Sequence, residues 1–199
     1  MTEEAREIKR KVKAALDKER YQHTLGVAYT ASAIAMRYAV DFDKAFLAGI
    51  VHDCAKNIPN DEKYSMCKKY KVDLTETEKN VPALVHAKLG AYLAESLYGI
   101  KDQEILNAVR YHTTGRPGMS LYEKIIFVSD YIEPGRNSQP NLQEIRQMAF
   151  MDLDIALLRI LTDTINYLNH KSAVMDPMTM KTYEYYKNCV DTKKVGIVR

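Results

Sequence analysis

Cysteine is scarce in this sequence and poorly placed for crosslinking: Cys54, Cys67 and Cys189 are odd in number, widely spaced, and form no CxxC pair. That excludes a disulfide framework and a thiolate zinc knuckle, and it points to a reducing compartment. Glycine and proline are also few, 8 and 6 in 199 residues, which favours long regular elements over a turn-rich fold. No apolar run approaches the ~20 residues that a membrane-spanning helix needs. The opening MTEEAREIKR is charged from its third residue, so it is not expected to be a secretory leader. A charge excess is missing too. The formal net charge of +3 is too small for a surface that coats nucleic acid, although it leaves room for a local basic pocket around a phosphate-bearing small molecule. The expectation is a cytoplasmic protein with neither nucleic acid nor membrane as partner.

What is present is an ordinary globular balance, 46% hydrophobic and 28% charged. The apolar spacing is helical almost throughout and predicts an all-α single domain over residues 1–190, with a short basic tail at 191–199. Predicted helices cover about 3–17, capped by Thr2, and 19–40. Asp41 or Asp43 opens a third that runs through HDCAK and stops ahead of Pro59. A short polar helix at 60–71 follows. The capping box Thr75–Glu78 then opens a helix running through Pro82 to about Tyr98. Asp102, the pair Ser120–Glu123 and the pair Asn141–Glu144 each mark a further start, a long apolar helix spans 153–169, and Asp176-Pro177 opens a last short one.

The informative pattern is the placement of histidines. His23, His52, His86 and His112 fall in four different predicted helices or at their ends, Asp53 follows His52 directly, and Asp130 interrupts the apolar run IIFVSDYI. Taken singly, a helical histidine is more often a hydrogen-bonded core or surface residue than a ligand. Asp130 resists so plain an account. It shares a helix face with Ile126 and Phe127, and a carboxylate facing packed surroundings is costly unless it meets a cation or several donors. Neighbours on a helix are splayed by about 100°, so the His52 imidazole and the Asp53 carboxylate are expected to flank one ion. Lys56, one turn beyond His52, is placed to meet a substrate phosphate, though a lysine closing a helix is equally explained by the dipole. Imidazoles and carboxylates without a thiolate suit Fe²⁺, Mn²⁺, Co²⁺ or Zn²⁺, and such an ion brings the pKa of a bound water near neutrality. Cys54 reads as a small buried residue rather than a nucleophile, and His170 as a surface residue closing a helix.

The ordered set His23, His52-Asp53 and Asp130 resembles the signature of the HD superfamily of metal-dependent phosphohydrolases. More narrowly, HDCAK at 52–56, YHTTGRPG at 111–118 and SDYIEPGR at 129–136, with RYQH at 20–23, are similar to the bacterial YqeK family, over about residues 1–190. The resemblance implies an HD-domain helical bundle that splits diadenosine tetraphosphate into two ADP by attack of a metal-bound water, with iron as the metal. It implies His23, His52, Asp53 and Asp130 as ligands of the principal ion, with Asp53 also orienting the water. His86 and His112 would bind substrate phosphate or a second ion, and either would supply a proton. Arg20, Thr113 and Arg136 would line the nucleotide pocket, and Lys56, Arg20 and Arg136 would screen the polyphosphate. Where cyclic-di-GMP phosphodiesterases carry a GYP triplet this chain has TTGRPG, which disfavours that branch. The alternatives are a nucleotidase or guanosine-polyphosphate hydrolase of the same superfamily, or a non-catalytic nucleotide-binding module. Occupation of all six ligand positions favours an enzyme. The expected partner is a nucleotide, with a homodimer as an open alternative.

Overall fold

The structure, a computed structural model, describes residues 3–197, with side chains described through residue 192. Eleven helices and no strand occur among the described residues. The residues that start them do so through their side chains. Asp17 accepts from the Arg20 amide ahead of α2 (Lys18–Arg37), and Asp41 accepts from the Asp43 and Lys44 amides ahead of α3 (Phe42–Val51). Asp102 does the same for α7 (Gln103–Tyr111). Both expected capping boxes form, Thr75 with Glu78 at α5 (Glu76–Asn80) and Ser120 with Glu123 at α8 (Leu121–Ile132). Each such cap is worth about 1 kcal/mol, because it satisfies amides that the helix itself leaves open.

The core is built where α2, α3, α7 and α8 pack on one another, with α6 (Pro82–Ser96) against α7. On the far side of α8, α9 (Leu142–Met151) packs with α10 (Leu153–His170), and α10 with α11 (Pro177–Ile197). Ile34, Ile50, Leu89, Ile125, Ile126 and Leu157 are fully buried there, each contributing roughly 2 kcal/mol through removal of apolar surface from water. α2 and α3 approach closely where both carry small residues. Ala28, Ala31 and Ala35 on α2 and Ala45, Ala48 and Gly49 on α3 are all buried. A Cβ on Gly49 would lie 2.6 Å from the Ala28 Cα, so only glycine lets the two backbones come this near. α1 (Glu3–Ala15) lays Ala5, Ile8 and Val12 onto this layer, while α4 (Asn60–Lys69) packs against α6.

Four readings of the sequence are corrected. The third helix stops at Val51, and residues 52–58 form tight turns in which the amides of Cys54, Lys56 and Ile58 bond the carbonyls three residues earlier. The helix opened by Thr75 ends at Asn80, and a new one begins at Pro82, because proline lacks the N–H to continue the ladder and holds Val81 extended at φ −124°. Asn141 stands at the N-cap of α9 as expected, but its side chain makes no cap bond: it sits at φ 58° and its amide donates instead to Asp163. The last helix is long, 21 residues, and continues through positions 191–197 where a tail was expected. Thr2 and residues 198–199 lie outside the described residues. No helix among those described is long and apolar enough to cross a membrane.

Candidate metal centre

The turn after α3, the end of α7, the first turns of α2 and α6 and the last turn of α8 converge on one place. Three histidines there share a device. His52 Nδ1 lies 2.7 Å from the Gly49 carbonyl oxygen, His86 Nδ1 2.7 Å from that of Ala83, and His112 Nδ1 2.7 Å from that of Val109. A carbonyl only accepts, so each Nδ1 carries the proton and each Nε2 presents a lone pair. All three rings are buried, and their lone pairs face inward. His86 Nε2 and His112 Nε2 stand 3.0 Å apart, and His52 Nε2 has no hydrogen-bond partner. Confronted acceptors of this kind call for a cation among them. The fourth ring, His23, lies edge-on to His52 with centroids 5.5 Å apart, and its Nδ1 is held by the Glu133 carboxylate at 3.1 Å.

Asp53 stands at the middle of these rings and is 2% exposed, so its charge is answered by the site rather than by water. Its two oxygens divide. Oδ1 is 3.0 Å from His86 Nε2 and 3.6 Å from His112 Nε2, yet it has no hydrogen-bond partner, as expected of an acceptor among acceptors. Oδ2 takes a hydrogen bond from Arg20 at 3.0 Å and lies 3.5 Å from His52 Nε2 and 3.9 Å from His23 Nε2. Asp130 reaches in from α8, with Oδ1 3.0 Å from His23 Nε2 and 2.7 Å from the Arg136 guanidinium, which also donates to the Asp130 carbonyl.

The electrostatics follow from burial and from these neighbours. Burial alone would raise the Asp53 and Asp130 pKa values; the surrounding imidazoles outweigh it and hold both carboxyls far below the usual range. Burial also works to lower the His52 pKa, but Asp53 and Asp130 prevail and raise it, so without a metal the pair attracts a proton. His86 goes the other way. Burial, then His112 and Lys56, push its pKa down to about 4 against the pull of Asp53, leaving its lone pair free at neutral pH. The donor atoms of His23, His52 and Asp130 lie within 4.8 Å of one another, and so do those of His52, Asp53 and His112. Two overlapping donor triads of nitrogen and carboxylate oxygen fit a divalent transition-metal ion.

All six expected ligand positions therefore meet in space. His112 belongs to the triad with His52 and Asp53, and His86 reaches Asp53 Oδ1, while the triad of His23, His52 and Asp130 includes neither. Lys56 arrives as well, its Nζ 3.3 Å from His86 Nε2, but the turns at 52–58 bring it there, not the helix face read from the sequence. Arg20 and Arg136 border a cavity of about 660 Å³ that reaches His23 and is walled by Leu25, Tyr29 and Pro134. Thr113 does not share it. It lines a separate cavity of about 290 Å³ with Thr114, Arg110 and Lys181. His170 is exposed at the end of α10. Cys54 is buried with its thiol 3.4 Å from the Gly90 carbonyl, and burial followed by the Asp53 charge pushes it up to about 12, which rules out a nucleophile. Sequence reasoning missed Glu133. The signal was available in SDYIEPGR, where a second carboxylate stands three residues after Asp130, one helical turn along.

Comparison with known proteins adds the following. The HD-domain family profile matches residues 20–135. The chain is 42% identical over 174 residues to a symmetrical bis(5'-nucleosyl)-tetraphosphatase of Bacillus subtilis, covering 87% of this chain and 92% of that one. It is 37% identical over 182 residues to the protein of the same description in Staphylococcus aureus, covering 89% and 92%. Among solved structures, an HD superfamily hydrolase of Clostridium acetobutylicum, described as involved in NAD metabolism, superposes with a TM-score of 0.88. It is 38% identical, over 92% of this chain and 96% of that one.

Proposed function

This chain belongs to the HD-domain family and to the YqeK branch of it, and from that premise we propose that it hydrolyses diadenosine tetraphosphate symmetrically, to two molecules of ADP. The observation that supports the reading is the inward-facing set of four Nε2 atoms around Asp53 and Asp130. It opens beside a cavity edged by two arginines and large enough for a nucleoside. His23, His52, Asp53 and Asp130 would hold the principal ion, with iron as our assignment and Mn²⁺, Co²⁺ or Zn²⁺ suited to the same donors. When bound, the metal supplies Lewis acidity and makes hydroxide available near neutral pH.

The side chains do the rest. His86 and His112, with Asp53 Oδ1 between them, are placed either for a second ion or for a phosphate oxygen. Arg20 and Arg136 stand between the carboxylates and the cavity, where their fixed forks bind polyphosphate and offset charge that develops during the displacement. Lys56 is half-buried, which lowers its pKa below that of a free lysine; its Nζ holds a proton beside His86 that can answer the charge of the departing ADP.

The test is a product assay on freshly purified protein with a panel of diadenosine tetraphosphate, NAD and guanosine polyphosphates, alongside element-resolved metal analysis. ADP as the sole product of diadenosine tetraphosphate, lost with a chelator and restored by Fe²⁺ or Mn²⁺, is the expected result. ATP plus AMP would refute symmetrical cleavage. Cleavage of NAD in preference to the tetraphosphate would favour a second reading, a hydrolase acting on NAD; the Clostridium protein is described as involved in NAD metabolism.

A further inference from the structure

Of the four histidines, three take their tether from the main chain and one does not. His52 and His112 close their helices, where the last carbonyls lack a main-chain partner, and His86 uses a carbonyl in the first turn of α6. His23 lies inside α2, and the atom that meets its Nδ1 is Glu133 Oε1 at 3.1 Å. Glu133 is 3% exposed, and its other oxygen accepts the Gly135 amide at 2.6 Å.

The surroundings of this carboxylate are shaped to receive it. A Cβ on Gly26 would fall onto Glu133 Oε2 and lie 3.0 Å from its Cδ, while one on Gly135 would lie 2.9 Å from Oε1 and 3.0 Å from Oε2. The carboxylate thus fills the space that two missing side chains leave. The turn that carries it is clamped in addition. Arg146 donates to the carbonyls of Ile132, Glu133 and Arg136 at 2.9, 3.0 and 3.0 Å. A buried carboxylate held by a glycine amide, two glycine gaps and an arginine-locked turn has one side-chain partner, the His23 ring.

We infer that Glu133 is a positioning residue: it fixes the His23 ring and its Nδ1–H tautomer, so that Nε2 is offered to the metal centre as a lone pair. The inference rests on the metal reading given above. A carboxylate on the outer nitrogen of a ligating histidine also makes the inner nitrogen a better donor, and losing such a partner typically lowers metal affinity 10–100-fold.

Two variants test it by different routes. Glu133→Gln keeps the shape and removes the charge. Gly26→Ala leaves every polar group of the site in place and pushes the carboxylate aside; its first obstacle is the flexible end of the Glu133 side chain, so the fold has an easy way to accommodate it. Long-range ¹H–¹⁵N NMR on the metal-free protein reads the tautomer of each histidine, and calorimetry with Zn²⁺ reads affinity. In both variants the His23 Nδ1–H signal, held in wild type by its bond to Glu133, should be lost while those of His52, His86 and His112 remain, and Zn²⁺ affinity should fall roughly 10–100-fold. An unchanged His23 tautomer with affinity within about twofold of wild type in Gly26→Ala overturns the inference, even if Glu133→Gln does not fold. Wild-type protein that bound no Zn²⁺ would sink the metal reading instead, and the tautomer signals would still decide this one.

Discussion

Gly49→Ala and Gly90→Ala should move stability in opposite directions, although both replace a glycine inside a helix. Helix propensity alone favours alanine by about 1 kcal/mol at either place. At Gly90 the added Cβ would meet Val109 Cγ1 at 3.4 Å and Cys54 Sγ at 3.7 Å, ordinary contact distances. Propensity should win there, and the melting temperature should rise by about 2–4 °C for a chain of this size. At Gly49 the Cβ would lie 2.6 Å from the Ala28 Cα and 2.9 Å from the Ala28 nitrogen, where carbon atoms need about 3.5–4.0 Å. The obstacle is backbone and cannot rotate away, so α2 and α3 must part by about 1 Å. Overpacking of this kind costs about 1–3 kcal/mol; with propensity deducted, the net loss runs up to about 2 kcal/mol, or as much as roughly 8 °C. Because α2 carries His23 and the Gly49 carbonyl tethers His52, metal binding should weaken as well. Thermal melts of the metal-free variants, with Mn²⁺ titrations on the same samples, make the comparison. A Gly49→Ala protein that melts at or above wild type would refute the close-packing account.

Three further outcomes are expected. Asp130→Asn keeps the shape but removes the charge that His23 and Arg136 meet at 3.0 and 2.7 Å, and it should strip the tightly held metal; retention of one metal per chain by elemental analysis would take Asp130 out of the ligand set. Cys54, buried and with its thiol pushed up to about 12 by burial, should stay unmodified in folded protein when mass spectrometry follows iodoacetamide treatment, and rapid labelling there would contradict the burial. His170→Ala, at an exposed helix end, should leave kcat/KM within about tenfold of wild type, a change of less than ~1.4 kcal/mol, and a larger loss would place His170 in the site.

The site was more legible in the sequence than the backbone that assembles it. An aspartate inside IIFVSDYI and histidines in four separate helices were visible because they break local rules: a carboxylate on a packed face needs a cation wherever the fold puts it. Caps were equally legible, since Asp41, Thr75, Asp102 and Ser120 act within their own turn. The turn at 52–58 was not. Its apolar spacing continues that of α3, so nothing in the local pattern marks the helix end at Val51. Asn141 makes no cap bond because its amide is drawn off by Asp163, twenty-two residues away. Glu133 was overlooked because its meaning depends on a ring 110 residues distant, and that Thr113 lines a different cavity from Arg20 and Arg136 was not legible, because adjacency to His112 in sequence says nothing of which way the next side chain turns.

The difference between the two kinds of tether makes the four histidines unequal targets for mutation. A main-chain carbonyl is supplied by every amino acid, so no single substitution at Gly49, Ala83 or Val109 deletes the acceptor that holds His52, His86 or His112. Only a change that bends the helix can disturb it. The acceptor for His23 is written in one codon, that of Glu133, and the space for it in another, that of Gly26. In a saturation screen scored for metal-dependent activity, positions 83 and 109 should therefore tolerate substitution as far as packing allows, whereas positions 26 and 133 should tolerate almost none. The vulnerable corner of the centre lies outside its ligands.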